Sequence, residues 1–488
     1  MTQGMRHGQT LSSVDAAWFH IDKPTNTAVI TGVMLFDEPF DLLRLKATLE
    51  ARLLVYPRFT QRVRESAVPL RRPHWEDDPH FDLNGHLHRI ALPAPGDDAA
   101  LQALVGDLMG MSLDFSRPLW QLYIVENYGA GCAIVCRVHH SLADGLALVE
   151  VLLGLTDTAP DAPWPKPPAP STARRSFVDA LLKPVATALS AVTAVRHAAR
   201  TTLHEGVEIL TQRERARAAA NAAVDGGRAL AKLLLIPPDH RTVFKGSCGV
   251  LKRAVWSDPM ALTDIKAIGQ VLDGTINDVL LAALTGALRR YLIGRGESTQ
   301  GVNIRVMVPV NLRQPGRLTQ LGNRFGLIIL SLPVGVEDPQ KRTFILKQRM
   351  DAIKSTPEAV VAFGILSTIG MTPAQVEDLI VAIFAAKVSG VVTNVPGPRQ
   401  QLYLAGNPLR TFMFWVPTPG SLSLGISILS YNGEVRLGIA TDAGLVPDPE
   451  TILAAFQEEL GEMARWVRPD LAEGPPEADT PFHSMTSL

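Results

Sequence analysis

Three observations predict an α/β protein built as two lobes. The chain has 488 residues, more than one hydrophobic core ordinarily serves, so two domains are expected. Short apolar, β-branched runs alternate with segments of helical spacing, first before residue 156 and again after residue 245. Between these regions, Thr156 to Thr172 carries six prolines among Ala, Asp and Thr, the composition of a stiff, exposed linker. The expected division is an N-terminal lobe over 1–155, a linker with connecting helices over 156–245, a C-terminal lobe over 246–470 and a loose tail over 471–488.

Leu11 to Phe19 places Ser and an acidic residue just before an apolar run, a helix start. Thr27 to Phe36 is β-branched and apolar, a strand. Leu42, Leu45, Leu49 and Leu53 recur at helical spacing, giving an amphipathic helix over Asp41 to Val55 that Tyr56-Pro57-Arg58-Phe59 ends. Pro118 is tolerated at the start of the strand Gln121 to Val125, and Trp120 reads first as a large packing side chain. Phe177 to Ile236 is rich in Ala and Leu and helical in character, with Arg196 and Arg200 on one face and Arg213, Arg215 and Arg217 following.

Further along, Thr275 can cap a helix from Ile276 to about Leu292, with Ile276, Val279, Leu280, Ala283, Ala287 and Tyr291 as its apolar face. Strands are expected over Gly301 to Val310, Phe325 to Leu332 and Val391 to Val395. Ser421 to Tyr431 and Glu434 to Ala440 flank Asn432-Gly433, a strong hairpin signal. Asp448-Pro449 opens a last helix, with proline at its first position. Its apolar face is Ile452, Phe456, Leu460 and Met463.

The formal net charge of −1, with 46% hydrophobic and 19% charged residues, argues against nucleic acid as a partner. Cys132 and Cys136 lie four apart in an expected strand, about 13 Å at strand rise and too far for a disulfide. With Cys248 they make a sparse, odd set that fits a reducing cytosol. Met1 to Ser13 has no apolar core of a secretory signal. No run of about 18 uninterrupted apolar residues appears, so no spanning helix is expected; Lys387 breaks the best stretch, Asp378 to Val392.

The chemistry concentrates at His139-His140-Ser141-Leu142-Ala143-Asp144-Gly145. The apolar run Cys132 to Cys136 before it reads as a strand buried on both faces, and Leu146 to Leu153 after it opens a helix. Strand side chains alternate between faces, so His140 and His139 cannot share a role. Divergent histidines and the lack of a third nitrogen or sulfur ligand at zinc spacing leave no metal site.

His-x-x-x-Asp-Gly resembles the signature of the CoA-dependent acyltransferase superfamily. The doubled histidine narrows the resemblance to wax ester synthase/diacylglycerol acyltransferases and peptide-synthetase condensation domains. Pro118-Leu119-Trp120, Ile276 to Leu280, Leu321 to Gly326 and Thr393 to Pro398 look like further motifs of the wax ester synthase family, in its order, as does Leu11 to Phe19. The family usually has Ser where Thr393 stands and often His where Asn26 stands. The Asp-Phe-Gly-Trp-Gly loop of condensation domains is missing.

The resemblance implies a two-lobed, chloramphenicol acetyltransferase-like fold, each lobe a mixed sheet covered by helices, with a tunnel between them and the catalytic His at its middle. It implies acyl-CoA as co-substrate, no bound cofactor, and a long-chain fatty alcohol or diacylglycerol as acceptor. His140 would be the base that takes the acceptor's proton, since neutral His has an ordinary value near 6.5. Ser141 lacks the nucleophile elbow of a serine hydrolase and reads as structural. Asn277, in the first turn of its helix, is the first choice for an oxyanion donor. Asp278 suits a capping box with Thr275. The family pattern gives Asp144 an ion pair with an arginine that keeps His140 oriented. Gly145 would permit a tight turn or a close backbone approach, and Pro118, Trp120 and Asn394 would support the site.

Lipid substrates without a spanning helix imply a cytoplasmic protein peripheral to the inner membrane or lipid droplets; the linker arginines read either as a solvated helical face, since they do not make one long stripe, or as its contact with anionic headgroups. Two alternatives remain open from sequence: a carrier-protein-dependent condensing or ester-forming enzyme of the same superfamily, and a non-catalytic protein that coats lipid surfaces.

Overall fold

The computed structural model describes residues 9–66, 72–165, 235–312, 321–354, 361–365 and 374–467. The linker arginines 196, 200, 213, 215 and 217 and the tail lie outside the described residues.

A first mixed sheet of seven strands has the order β4-β5-β6-β1-β14-β13-β7. Its members are β1 (Val29–Phe36), β4 (Leu87–Ala91), β5 (Trp120–Tyr128), β6 (Gly131–His139), β7 (Thr156–Asp157), β13 (Tyr403–Leu404) and β14 (Asn407–Trp415). The second sheet runs β11-β10-β12-β15-β16-β8. It is built from β8 (Lys252–Trp256), β10 (Ile304–Asn311), β11 (Phe325–Leu332), β12 (Gly390–Pro396), β15 (Leu424–Tyr431) and β16 (Glu434–Asp442), with β9 (Met260–Ala261) added on β16. A separate ribbon pairs β2 (Gln61–Arg64) with β3 (His74–Asp77).

Helices α1 (Ser13–His20), α2 (Leu42–Arg52), α3 (Asp98–Met109) and α4 (Gly145–Leu155) belong to the N-terminal half. In the C-terminal half lie α5 (Leu262–Val271), α6 (Ile276–Gly294), α7 (Pro339–Lys354), α8 (Ala374–Ala386) and α9 (Pro449–Ala464). The starts follow the sequence. Ser12 accepts from Asp15 N at the head of α1, and Asp41 accepts from Leu43 N and Arg44 N at the head of α2. Thr275 and Asp278 form the reciprocal capping box of α6. Asn432 and Gly433 turn the β15–β16 hairpin with positive φ values of 48° and 83°, as a tight two-residue loop requires. At the last helix Pro449 stands first, but Asp448 accepts from the Tyr291 hydroxyl at 2.7 Å instead of capping.

One face of the first sheet packs on α2 and α4, with Ile30, Ile134 and Phe412 against Leu45, Leu49, Val149 and Leu153. Its other face packs Val33, Leu35 and Val135 against Leu101, Val105 and Leu108 of α3 and Trp256 of β8. That second layer binds the two sheets together. So does β14, which pairs antiparallel with β1 although it lies late in the chain; the first sheet thus takes strands from both ends of the sequence. Around α6 the burial exceeds the single apolar face expected, because Leu281, Ala282, Leu284 and Leu288 are buried as well. α9 and residues of α5 and α7 share its core, so little of α6 meets water.

No single described helix is long and apolar enough to cross a membrane; α5 and α6 pass a combined test of length and composition, but only across a 90° bend.

Candidate active site

Strand alternation sorts the side chains of β6. Ile134, Cys136 and Val138 line an apolar cavity of about 100 Å³ between the first sheet, α2 and α4. Its far side is walled by Leu45, Leu49 and Leu152, and it reaches Trp120 and Gly145. His140 continues that row by parity and His139 belongs to the opposite one. At the strand end the His139 N–H donates to the Leu119 carbonyl at 2.9 Å, and the His140 N–H to the Ala28 carbonyl at 2.7 Å.

His139 is fully buried. Its Nδ1 accepts from the Ser141 backbone N–H at 3.1 Å, and the Ser141 hydroxyl lies 2.8 Å from the same atom. Nδ1 is therefore the acceptor of the ring, and Nε2 faces the Asp22 carboxylate at 3.4 Å. Phe19 and Phe115 close around the ring edge-on, at 6.2 and 5.6 Å between centroids. This histidine is locked in place, with Ser141 as part of the lock.

His140 is 3% exposed, and its surroundings are apolar. Trp18 of α1 stacks on it with centroids 4.0 Å apart and planes 13° apart, while Phe325 of β11 lies at 5.6 Å. Among the described residues its Nδ1 has no hydrogen-bond partner. Burial pushes its pKa down to about 4, against the opposing pull of the Asp144 charge. That corrects the ordinary value near 6.5 expected from sequence. The ring is neutral throughout the physiological range, as a base must be before it accepts a proton.

The loop carrying the two histidines is held from both halves of the chain. Arg58 donates to the Leu142 carbonyl at 2.7 Å and pairs with Asp15 at 3.1 Å. Asp15, fully buried, also accepts from Asn323 Nδ2 at 2.8 Å and from Asn323 N at 3.2 Å. Asn323 Nδ2 in turn lies 2.7 Å from the His140 carbonyl. Gly322 precedes it with φ 125°, a conformation that only glycine adopts without strain. Sequence reading missed these roles for Asp15, Trp18, Arg58 and Asn323. The available signal was that Asp15, Trp18 and Asn323 stand inside segments already matched to family motifs.

The Asp144 carboxylate is held by backbone N–H groups. Oδ1 caps α4 at Ala147 N, 3.0 Å away, and Oδ2 accepts from Arg324 N at 2.9 Å. These bonds tie the loop to the head of α4 and to the residue before β11. Gly145 differs from the expectation of a tight turn: it is the first residue of α4. A Cβ there would come within 3.4 Å of Phe414 Cε2, so its smallness keeps the cavity wall open beside that ring.

Pro118 and Trp120 are buried, with Trp120 Nε1 donating to the Phe59 carbonyl at 2.8 Å and its ring stacked on His86 at 4.5 Å. Asn277 and Asn394 meet each other, Nδ2 of Asn394 donating to Oδ1 of Asn277 at 2.8 Å. Among the described residues no hydrogen bond joins that pair to the histidine loop. Nor does any group of three His, Cys, Asp or Glu side chains there stand where it could share a metal ion.

Comparison with known proteins places this geometry. The wax ester synthase/diacylglycerol acyltransferase catalytic domain matches residues 11–280, and the C-terminal domain of the same family matches residues 321–464. A probable diacylglycerol O-acyltransferase of Mycobacterium tuberculosis is 28% identical over 461 residues, covering 93% of this chain and 95% of that protein. The wax ester synthase/diacylglycerol acyltransferase structure from Marinobacter aquaeolei superposes with a TM-score of 0.66 at 20% identity, over 94% of this chain and 99% of that one. The first condensation domain of the calcium-dependent antibiotic synthetase shares the fold at a TM-score of 0.57 and 14% identity, over 94% and 97% of the two chains.

Proposed function

The chain belongs to the wax ester synthase/diacylglycerol acyltransferase family, and from that premise we propose that it is an O-acyltransferase moving a long-chain acyl group from acyl-CoA to a fatty alcohol or diacylglycerol. The observation that carries this reading is His140: a buried, neutral imidazole at the end of the strand whose same-parity residues line an apolar cavity.

In this reading the acyl chain enters that cavity. Its walls are apolar, and each methylene that enters contributes about 0.8 kcal/mol on leaving water. The acceptor oxygen attacks the thioester carbonyl carbon while His140 takes the hydroxyl proton. The carbonyl π pair moves to oxygen, giving the tetrahedral oxyanion. As the oxyanion collapses the C–S bond breaks, and the imidazolium returns its proton to the departing sulfur. The products are the ester and free CoA, with no acyl-enzyme. Asp144 and Asn323 position the loop, His139 holds Ser141, and Asn277, oriented by Asn394, donates to the oxyanion. Pro118 and Trp120 support the strand end, and Asp278 caps α6.

Both acceptors are lipids, so the enzyme meets them at a membrane or lipid-droplet surface, with Arg196, Arg200, Arg213, Arg215 and Arg217 supplying a salt-sensitive attachment. Changing all five to Gln should abolish co-sedimentation with anionic vesicles at low salt; unchanged sedimentation moves the contact elsewhere. The reaction itself is tested by CoA release from palmitoyl-CoA. Release that requires hexadecanol or a diacylglycerol supports the assignment. Failure with both acceptors, alongside turnover of a carrier-bound acyl group, overturns it.

A further inference from the structure

The group that must become charged during transfer is buried. Trp18, His140 and Phe325 are 6%, 3% and 7% exposed, so water is not at hand to solvate an imidazolium. The Asp144 carboxylate acts on His140 only through space, since its oxygens engage the N–H groups of Ala147 and Arg324. The Asn323 side chain also acts on the ring, and the ring–ring contacts are with Trp18 and Phe325. The indole of Trp18 lies parallel to it at 4.0 Å, Phe325 approaches at 5.6 Å and 48°, and the two aromatic rings are themselves 6.4 Å apart.

We propose that Trp18, stacked on the face of the His140 ring, and Phe325, set beside its edge, form an L-shaped aromatic clamp that stabilises the His140 imidazolium as it forms, with Trp18 supplying most of the effect. The proposal rests on His140 being the base. Its physical content is the negative face of the ring quadrupole, which attracts a cation lying on it and is strongest for indole. Neutral imidazole gains only dispersion and packing from the same stack. The clamp therefore acts more on the transition state than on the resting enzyme, which is the condition for raising turnover. It also explains why a helix from one end of the chain and a strand from the other meet at this ring: the clamp is complete only when both sheets are in place.

Packing requires the shape of Trp18; the clamp requires its π density. Site-specific replacement of Trp18 by mono-, di- and tetrafluorotryptophan keeps the shape and withdraws the density. The reading is the single-turnover rate of acyl transfer from palmitoyl-CoA to hexadecanol, which isolates the chemical step. The rate should fall stepwise, by about 5- to 30-fold across the series. The acid limb of its pH profile should move to lower pH, because a less stabilised imidazolium has a lower pKa. The KM for palmitoyl-CoA and the melting temperature should stay unchanged. Trp18→Phe should retain most of the rate that Trp18→Leu loses. A flat rate and an unmoved acid limb across the fluorinated proteins overturn the clamp. His140→Gln separates the two claims: if that variant keeps its turnover, the base assignment falls and the clamp with it; if it loses turnover while fluorination has no effect, the clamp alone is wrong.

Discussion

His139 and His140 are consecutive and both buried, and their surroundings differ. One ring is tied by Ser141 and faces Asp22. The other has Trp18 stacked on its face and Phe325 beside its edge, with Nδ1 unpartnered among the described residues. The sheet face opposite the apolar cavity, lined through Val29 and Thr31, meets a polar pocket that includes Asn26, Lys252 and Asp442. Alternation along a single strand thus separates a structural histidine from one fit for proton transfer. The difference lies in the surroundings: the residue type and even the backbone position are nearly the same.

The comparison is sharpest when each ring is removed in turn. His140→Gln should cut acceptor-dependent CoA release by about 10²- to 10⁴-fold, the usual worth of a general base, with a melting temperature close to that of the parent. His139→Gln should do the reverse in emphasis. Losing the acceptor for Ser141 N–H leaves a buried donor unsatisfied, at a cost of about 1–3 kcal/mol, read as a lower melting temperature with a smaller loss of rate. Equal effects of the two changes on both readings would erase the distinction.

Asn323→Ala tests whether His140 depends on the other sheet. It removes the bonds to Asp15 Oδ1 and to the His140 carbonyl, and should lower stability by about 2 kcal/mol and turnover by roughly tenfold. Asp144→Ala loses the α4 cap, about 0.5–2 kcal/mol, and should lose activity together with thermal stability; an inactive protein with unchanged melting would give Asp144 a direct chemical role. The smallest effect is one of selectivity. Gly145→Val places methyl groups against Phe414 at the cavity wall, and should lower turnover of palmitoyl-CoA several-fold while sparing butyryl-CoA, because each methylene denied burial forfeits about 0.8 kcal/mol.

Local chemistry was legible in the sequence. The strand Phe325–Leu332, the Thr275–Asp278 box and the Asn432-Gly433 turn follow from nearest neighbours, and each stands where the residues indicated. Partnership over distance was not. Asp15 and Asn323 are 308 residues apart, and no periodicity announces that they meet under one carbonyl. For the same reason nothing local assigns β14 to the first sheet, since its pairing with β1 depends on how both sheets close. Of the two readings of Gly145, the tight turn gives way to the first residue of α4, with the Phe414 ring beside it. The depressed pKa of His140 was hidden likewise, for it depends on Trp18 and Phe325 arriving from separate parts of the chain.

The central claim is that a neutral, desolvated His140 takes the acceptor's proton, and the pH dependence of kcat/KM for palmitoyl-CoA transfer tests it most directly. Below its pKa the imidazole already holds a proton and cannot accept another, so activity must fall on the acid side. With burial holding that value at about 4, the account predicts a profile flat from pH 8 to about pH 5 and falling only near pH 4. A limb near pH 6.5, the ordinary value for histidine, would contradict it.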